Sequence, residues 1–226
     1  MTTLGNQKNK QTFHPDSVGA VSNRTGAECL INSKVHHKSD AIRCFVAIEI
    51  PQPIQALLKN LQTRLQSEIR RASWTKSGNF HLTLKFLGDV SSETIDSVSE
   101  VIQDVVDGQT SVPIEFGGVG AFPNLYRPRV LWVGVKQGAS IVSRLAKTVN
   151  LELKHLGFPI DNRFHPHLTL ARLRTPMNLE PLKNMLRQYD TINRAVVNVE
   201  GITLMRSQLH PNGAIYTPLN VCHFPA

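Results

Sequence analysis

The sequence has little of several things. It carries three cysteines, Cys29, Cys44 and Cys222, an odd number set far apart. That spacing offers no disulfide framework and no paired zinc-knot pattern, so a reducing cytoplasm is the compartment expected. No apolar run approaches the roughly 20 residues of a spanning helix, so no membrane association is expected. The N-terminus also lacks the apolar stretch of a secretory signal. Aromatic residues make up 6% and charged residues 19%, against 41% hydrophobic, a balance that suits a soluble globular protein. Basic residues never cluster beyond a pair. The formal net charge of +8 nonetheless predicts attraction to a polyanion, with nucleic acid the leading candidate. Any such grip must be assembled in three dimensions.

One short pattern occurs twice: His81-Leu82-Thr83-Leu84 and His167-Leu168-Thr169-Leu170. On a β-strand the side chains alternate faces, so each copy sets an imidazole beside a hydroxyl and two leucines behind them. A lone His-x-Thr is a weak signal. Two copies, each ending a strand-like run after a helical pattern and a turn, are a stronger one. The bland alternative is two amphipathic strands with incidental polar residues.

Residues 1 to about 40 are polar and show neither helical nor strand period, which predicts a disordered extension before a domain over 41–226. Arg43–Ile50 reads as a strand. Pro51 and Pro53 open a helix continued by Ile54, Leu57, Leu58, Leu61, Leu65 and Ile69. Ser91-Ser92 with Glu93 opens a second, carrying Ile95, Val98, Ile102 and Val105. Val112–Val119 and Arg129–Val135 read as a strand pair, Ser140–Leu156 as a helix stopped by Gly157, and Leu179–Tyr189 as a short helix. Val196–Met205 and Ala214–Leu219 read as a closing hairpin around Pro211-Asn212-Gly213. The order suggests an approximate duplication. The expected fold is α+β: two pseudo-symmetric lobes, each an antiparallel sheet with helices on one face, and a cleft between them where the motif strands meet.

Two histidines facing one cleft can supply both proton transfers of a displacement at phosphorus, because imidazole titrates near pH 6.5. Thr83 and Thr169 can donate hydrogen bonds to the phosphate oxygens as charge builds there. This chemistry calls for no cofactor and no metal. Arginine is the expected phosphate clamp, since its fork matches the oxygens. Arg172 follows the second motif, but strand parity sets it opposite His167 unless a bulge or the strand's end intervenes. Arg129 and Arg206, at predicted strand ends, reach the cleft more simply; a solvated role is the alternative for all three. Parity sets Lys85 and His165 on the faces of their motif histidines. A metal-dependent hydrolase is a different reading, with His165 and His167 as ligands and a third from His81, His210 or His223. A non-catalytic RNA-binding module is another.

The wider text resembles a known family. Arg43-Cys-Phe-Val-Ala-Ile-Glu-Ile, His-Leu-Thr-Leu-Lys-Phe-Leu-Gly, Arg127-Pro-Arg-Val-Leu-Trp-Val-Gly-Val and Phe164-His-Pro-His-Leu-Thr-Leu-Ala-Arg are similar to segments of the two-histidine phosphoesterase superfamily. Within it they resemble the bacterial and archaeal RNA 2′,3′-cyclic phosphodiesterases, also called 2′-5′ RNA ligases. The resemblance implies metal-independent hydrolysis of an RNA 2′,3′-cyclic phosphate end to a 2′-phosphomonoester, with reversible 2′-5′ ligation as an associated activity. It implies His81 as proton donor and His167 as proton acceptor, with RNA as the partner and no obligate protein partner; a monomer is expected. The sequence departs from the family where a usual Tyr-Arg-Ser-Glu-Leu reads Met205-Arg-Ser-Gln-Leu.

Overall fold

The structure, a computed structural model, describes residues 41–175, 177–188, 195–211 and 213–225. The N-terminal extension read as disordered lies outside the described residues, as do Tyr189 and Asn212 of the elements named above.

In chain order the elements are β1 (Ile42–Glu49), α1 (Gln52–Gln66), β2 (Ala72–Trp74), β3 (His81–Val90), α2 (Ser92–Asp107), β4 (Val112–Phe122) and β5 (Val130–Gln137). There follow α3 (Ala139–Glu152), β6 (His167–Leu173), α4 (Lys183–Arg187), β7 (Ala195–Val199), β8 (Gly201–Gln208) and β9 (Ile215–His223). Pro51 and Pro53 do flank the start of α1, where a missing N–H costs least. A 3₁₀ turn over Leu153–Leu156 prolongs α3 to Gly157, whose φ of +88° suits glycine and ends it.

The strands pair antiparallel throughout, in the order β7-β4-β5-β6-β3-β1-β8-β9, with β2 added beside β6. The two halves of this sheet, β3-β1-β8-β9 and β6-β5-β4-β7, each begin with a motif strand and are the two lobes expected. Between them β3 and β6 touch through the pair Leu82↔Leu168. Leu82, Leu84, Leu168 and Leu170 are buried in one continuous core with Val46, Leu58, Leu131 and Val133. Each such leucine contributes about 1.5–3 kcal/mol through removal from water. Two helices reach the other lobe's motif strand: Gln62 of α1 donates to the Leu170 carbonyl of β6, and Asn150 of α3 accepts from Lys85 of β3. No helix among the described residues is long and apolar enough to cross a membrane.

Two expectations are corrected. The stretch Val196–Met205 is not one hairpin arm. It breaks at Glu200, so β7 pairs with β4 at one edge of the sheet while β8 lies between β1 and β9 in the other lobe. A run of strand-forming residues does not show which half of a sheet each piece joins. Lys85 does not share the face of His81. Against β1 the register skips Leu84, pairing Val46 with Lys85 and Ala47 with Thr83. This β-bulge turns Leu84 and Lys85 both inward, and Lys85 Nζ donates to Asn150 Oδ1 and the Pro159 carbonyl at 2.7 Å each.

Candidate active site

The site grows from the Leu82↔Leu168 pair. These leucines point into the core, so their neighbours on each strand point the other way. Extending the antiparallel register one step sets His81 across from Thr169 and His167 across from Thr83. All four are half-buried, on the face opposite the leucines.

The two imidazoles are held alike. His81 Nδ1 lies 2.9 Å from the Asn79 carbonyl, and His167 Nδ1 lies 2.7 Å from the His165 carbonyl. A carbonyl can only accept, so each Nδ1 carries the proton and donates it. Each Nε2 is then the basic nitrogen of the neutral ring. Aromatic walls flank both: Phe45 and Tyr216 stand with centroids 4.6 and 5.0 Å from His81, and Phe122 stands 5.0 Å from His167. Burial is the main reason that the His81 imidazole is held down at about 4; the charges of His167 and Arg172 push the same way, against the pull of its carbonyl partner. Burial, His165 and Arg172 likewise hold His167 below the ordinary histidine value. Both shifts favour the neutral ring near pH 7.

The expected arginines separate. Between Leu131 and Trp132 the β5–β6 register skips Leu170, so Leu170 and Ala171 both turn inward and Arg172 emerges on the histidine face. Its charge is felt there by His81, His167 and Tyr216. Arg129 precedes Val130, the register partner of Arg172, and alternation directs it to the other face. Arg206 pairs with Cys44, a residue of the main core, and its charge acts on that thiol. Its neighbour Met205 packs on the cleft side with Phe45, Ala47 and Tyr216. His165 lies against Trp132 and Phe122, with its ring 6.4 Å from that of His167. Among the described residues no group of three or more His, Cys, Asp or Glu is placed to hold a metal ion.

Phe45, Glu49, Trp132 and Tyr216 were not singled out from sequence. Glu49 is the register partner of His81 and accepts a hydrogen bond from Thr203 at 2.8 Å. Phe45 was hidden because β1 is buried on both faces from Cys44 to Ile48, so no alternation marks its cleft side. A signal existed for Trp132: glycines at 120 and 134 leave its indole room to lie against the sheet.

One histidine and one threonine from each half of a duplicated sheet share a face, and the chain belongs to the LigT-like phosphoesterase family. That family matches residues 48–132 and 133–216, one match for each motif. Among curated proteins, the RNA 2′,3′-cyclic phosphodiesterase of Archaeoglobus fulgidus is 36% identical over 182 residues, covering 80% of this chain and 99% of its own. The protein of that name from Methanothermobacter thermautotrophicus is 29% identical over 180 residues, covering 80% and 97%. Among solved structures, the protein TT0787 of Thermus thermophilus superposes with a TM-score of 0.66 at 27% identity, covering 81% of this chain and 98% of that one.

Proposed function

We propose that the protein hydrolyses RNA 2′,3′-cyclic phosphate ends to 2′-phosphomonoesters without a metal or other cofactor. The observation that carries this reading is the matched pair of imidazoles, each fixed through Nδ1 by the carbonyl two residues before it. This leaves two Nε2 atoms to act on one phosphate from two sides. In the proposed reaction His167 Nε2 takes a proton from water as the water oxygen bonds to phosphorus. The P–O3′ bond breaks, and the proton on His81 Nε2 passes to O3′. Thr83, Thr169 and Arg172 hold the non-bridging oxygens, where negative charge grows. The assignment of donor and acceptor follows the family resemblance, since the framework treats the rings almost equally.

His81 must be protonated before it can donate, although burial keeps it neutral in the open cleft. The phosphodiester anion supplies the remedy, because an adjacent opposite charge favours the imidazolium. Substrate thus prepares its own acid. An RNA end is the partner that suits both the relatives' names and the excess of positive charge. The free, buried thiols of Cys44 and Cys222 suit a reducing cytoplasm.

The test is to incubate the protein, with and without EDTA, with RNA ending in a 2′,3′-cyclic phosphate and to identify the product. A 2′-phosphate formed equally in EDTA is expected. His81→Ala and His167→Ala should each lose at least about 10² in rate. A 3′-phosphate, no product, or activity that EDTA removes and zinc restores would overturn the reading.

A further inference from the structure

We propose that Thr75 and Gln62 are positioning residues for Arg172: they pin the β6 bulge that turns this arginine toward His81 and His167. The inference rests on reading the cleft as a phosphoesterase site.

Regular alternation from His167 would put residue 172 on the buried face. The extra residue, Leu170, reverses the parity, and it has no opposite number on β5. Its support comes from the other side of the strand. The Thr169 carbonyl accepts from Thr75 Oγ1 at 2.8 Å, and the Leu170 carbonyl accepts from the Thr75 N–H and from Gln62 Nε2, each at 2.9 Å. Gln62 Nε2 also donates to the Thr75 carbonyl at 2.8 Å, so its two protons tie helix, loop and bulge together. The other end of that amide, Oε1, is buried with no partner among the described residues. β2 then pairs with β6 from Ala171 to Leu173 and carries the reversed parity through Arg172.

The reactive histidines report where Arg172 stands. His81 is faced by His167 and Arg172 from β6, by Tyr216 from β9 and by Glu49 in register on β1. His167 is faced by His165, His81 and Arg172. Withdrawing the guanidinium removes a positive charge from both, so both imidazoles should titrate at higher pH.

The experiment compares Thr75→Val, Thr75→Ser, Gln62→Met and Arg172→Gln by NMR titration of the two imidazoles in ligand-free protein and by steady-state kinetics on RNA with a cyclic phosphate end. Arg172→Gln should raise both imidazole pKa values and increase KM about ten- to a hundredfold, the range of a lost charge-assisted hydrogen bond. Thr75→Val should reproduce both changes in smaller measure, and Thr75→Ser, which keeps the hydroxyl, should show the parent values. In the Arg172→Gln background Thr75→Val should add less than about twofold, because it would act through a residue already removed. Unchanged titration in Thr75→Val, or a full additive effect in the double variant, would overturn the proposal. Gln62→Met repeats the comparison if Thr75→Val folds poorly. Protein that turns over no cyclic phosphate counts against the proposed reaction alone, since the titration still reads the position of Arg172.

Discussion

Leu82 and Leu168 form the one backbone pair between the two motif strands among the described residues, and the candidate site is arranged around it. Extending the register one step to either side of that pair crosses the motifs, setting each histidine across from the other motif's threonine. A phosphate above the pair would meet both halves of the sheet at once. Neither half holds a complete set.

The two threonines are therefore expected to matter alike. Thr83→Val and Thr169→Val keep side-chain volume and remove one hydroxyl donor each. Each should lower kcat on the order of 10². Thermal unfolding should stay close to the parent, which separates this loss from misfolding. A kcat within a few-fold of the parent in either variant would remove that hydroxyl from the mechanism.

Stability should fall in mild acid. His81 has an ordinary value of 6.5 when unfolded and about 4 when folded. Above pH 6.5 neither state binds the proton, and no stability is lost. As pH drops from 6.5 toward 4 the unfolded chain gains a proton that the folded one refuses, which costs about 1.4 kcal/mol per pH unit and about 3 kcal/mol in all. Urea unfolding at pH 7.5, 6 and 5 reads this slope. His81→Gln should make it shallower, with a remainder from His167, and an unaltered slope would mean that His81 is not desolvated.

Lys85 is expected to be a stability residue. Burial pushes its ammonium below the ordinary lysine range, with Asp161 opposing. Lys85→Met would leave Asn150 Oδ1 and the Pro159 carbonyl without this donor, and should cost about 1–3 kcal/mol. Its effect on kcat should be far smaller than that of Thr83→Val. A variant as stable as the parent would show that the network contributes nothing.

Gly120 supports the wall beside His167. A Cβ there would overlap the Trp132 ring, which packs against His165, whose carbonyl holds His167 Nδ1. Gly120→Ala should cost about 1–3 kcal/mol by overpacking and lower kcat with it. Trp132→Phe, with a smaller ring, should relieve part of the stability loss in the double variant. A neutral Gly120→Ala would show that the indole is free to move.

The two motif strands, the leucine face behind each, the duplicated order of elements and the family were all legible in the chain before it folded. All of these rest on local periodicity and on residue types that survive being read one segment at a time. The sequence could not determine parity beyond the third residue of either motif. Lys85 and Arg172 both land on the face opposite to simple alternation because each motif strand bulges, at Leu84 and at Leu170. The second bulge is held by Gln62, 108 residues away along the chain. Nor could it divide 195–208 between the two lobes, because pairing is chosen by partners and not by the strand itself. Counting by twos finds the histidines and threonines. Which arginine joins them was decided by one unpaired residue and the side chains that pin it, which only the tertiary structure brings together.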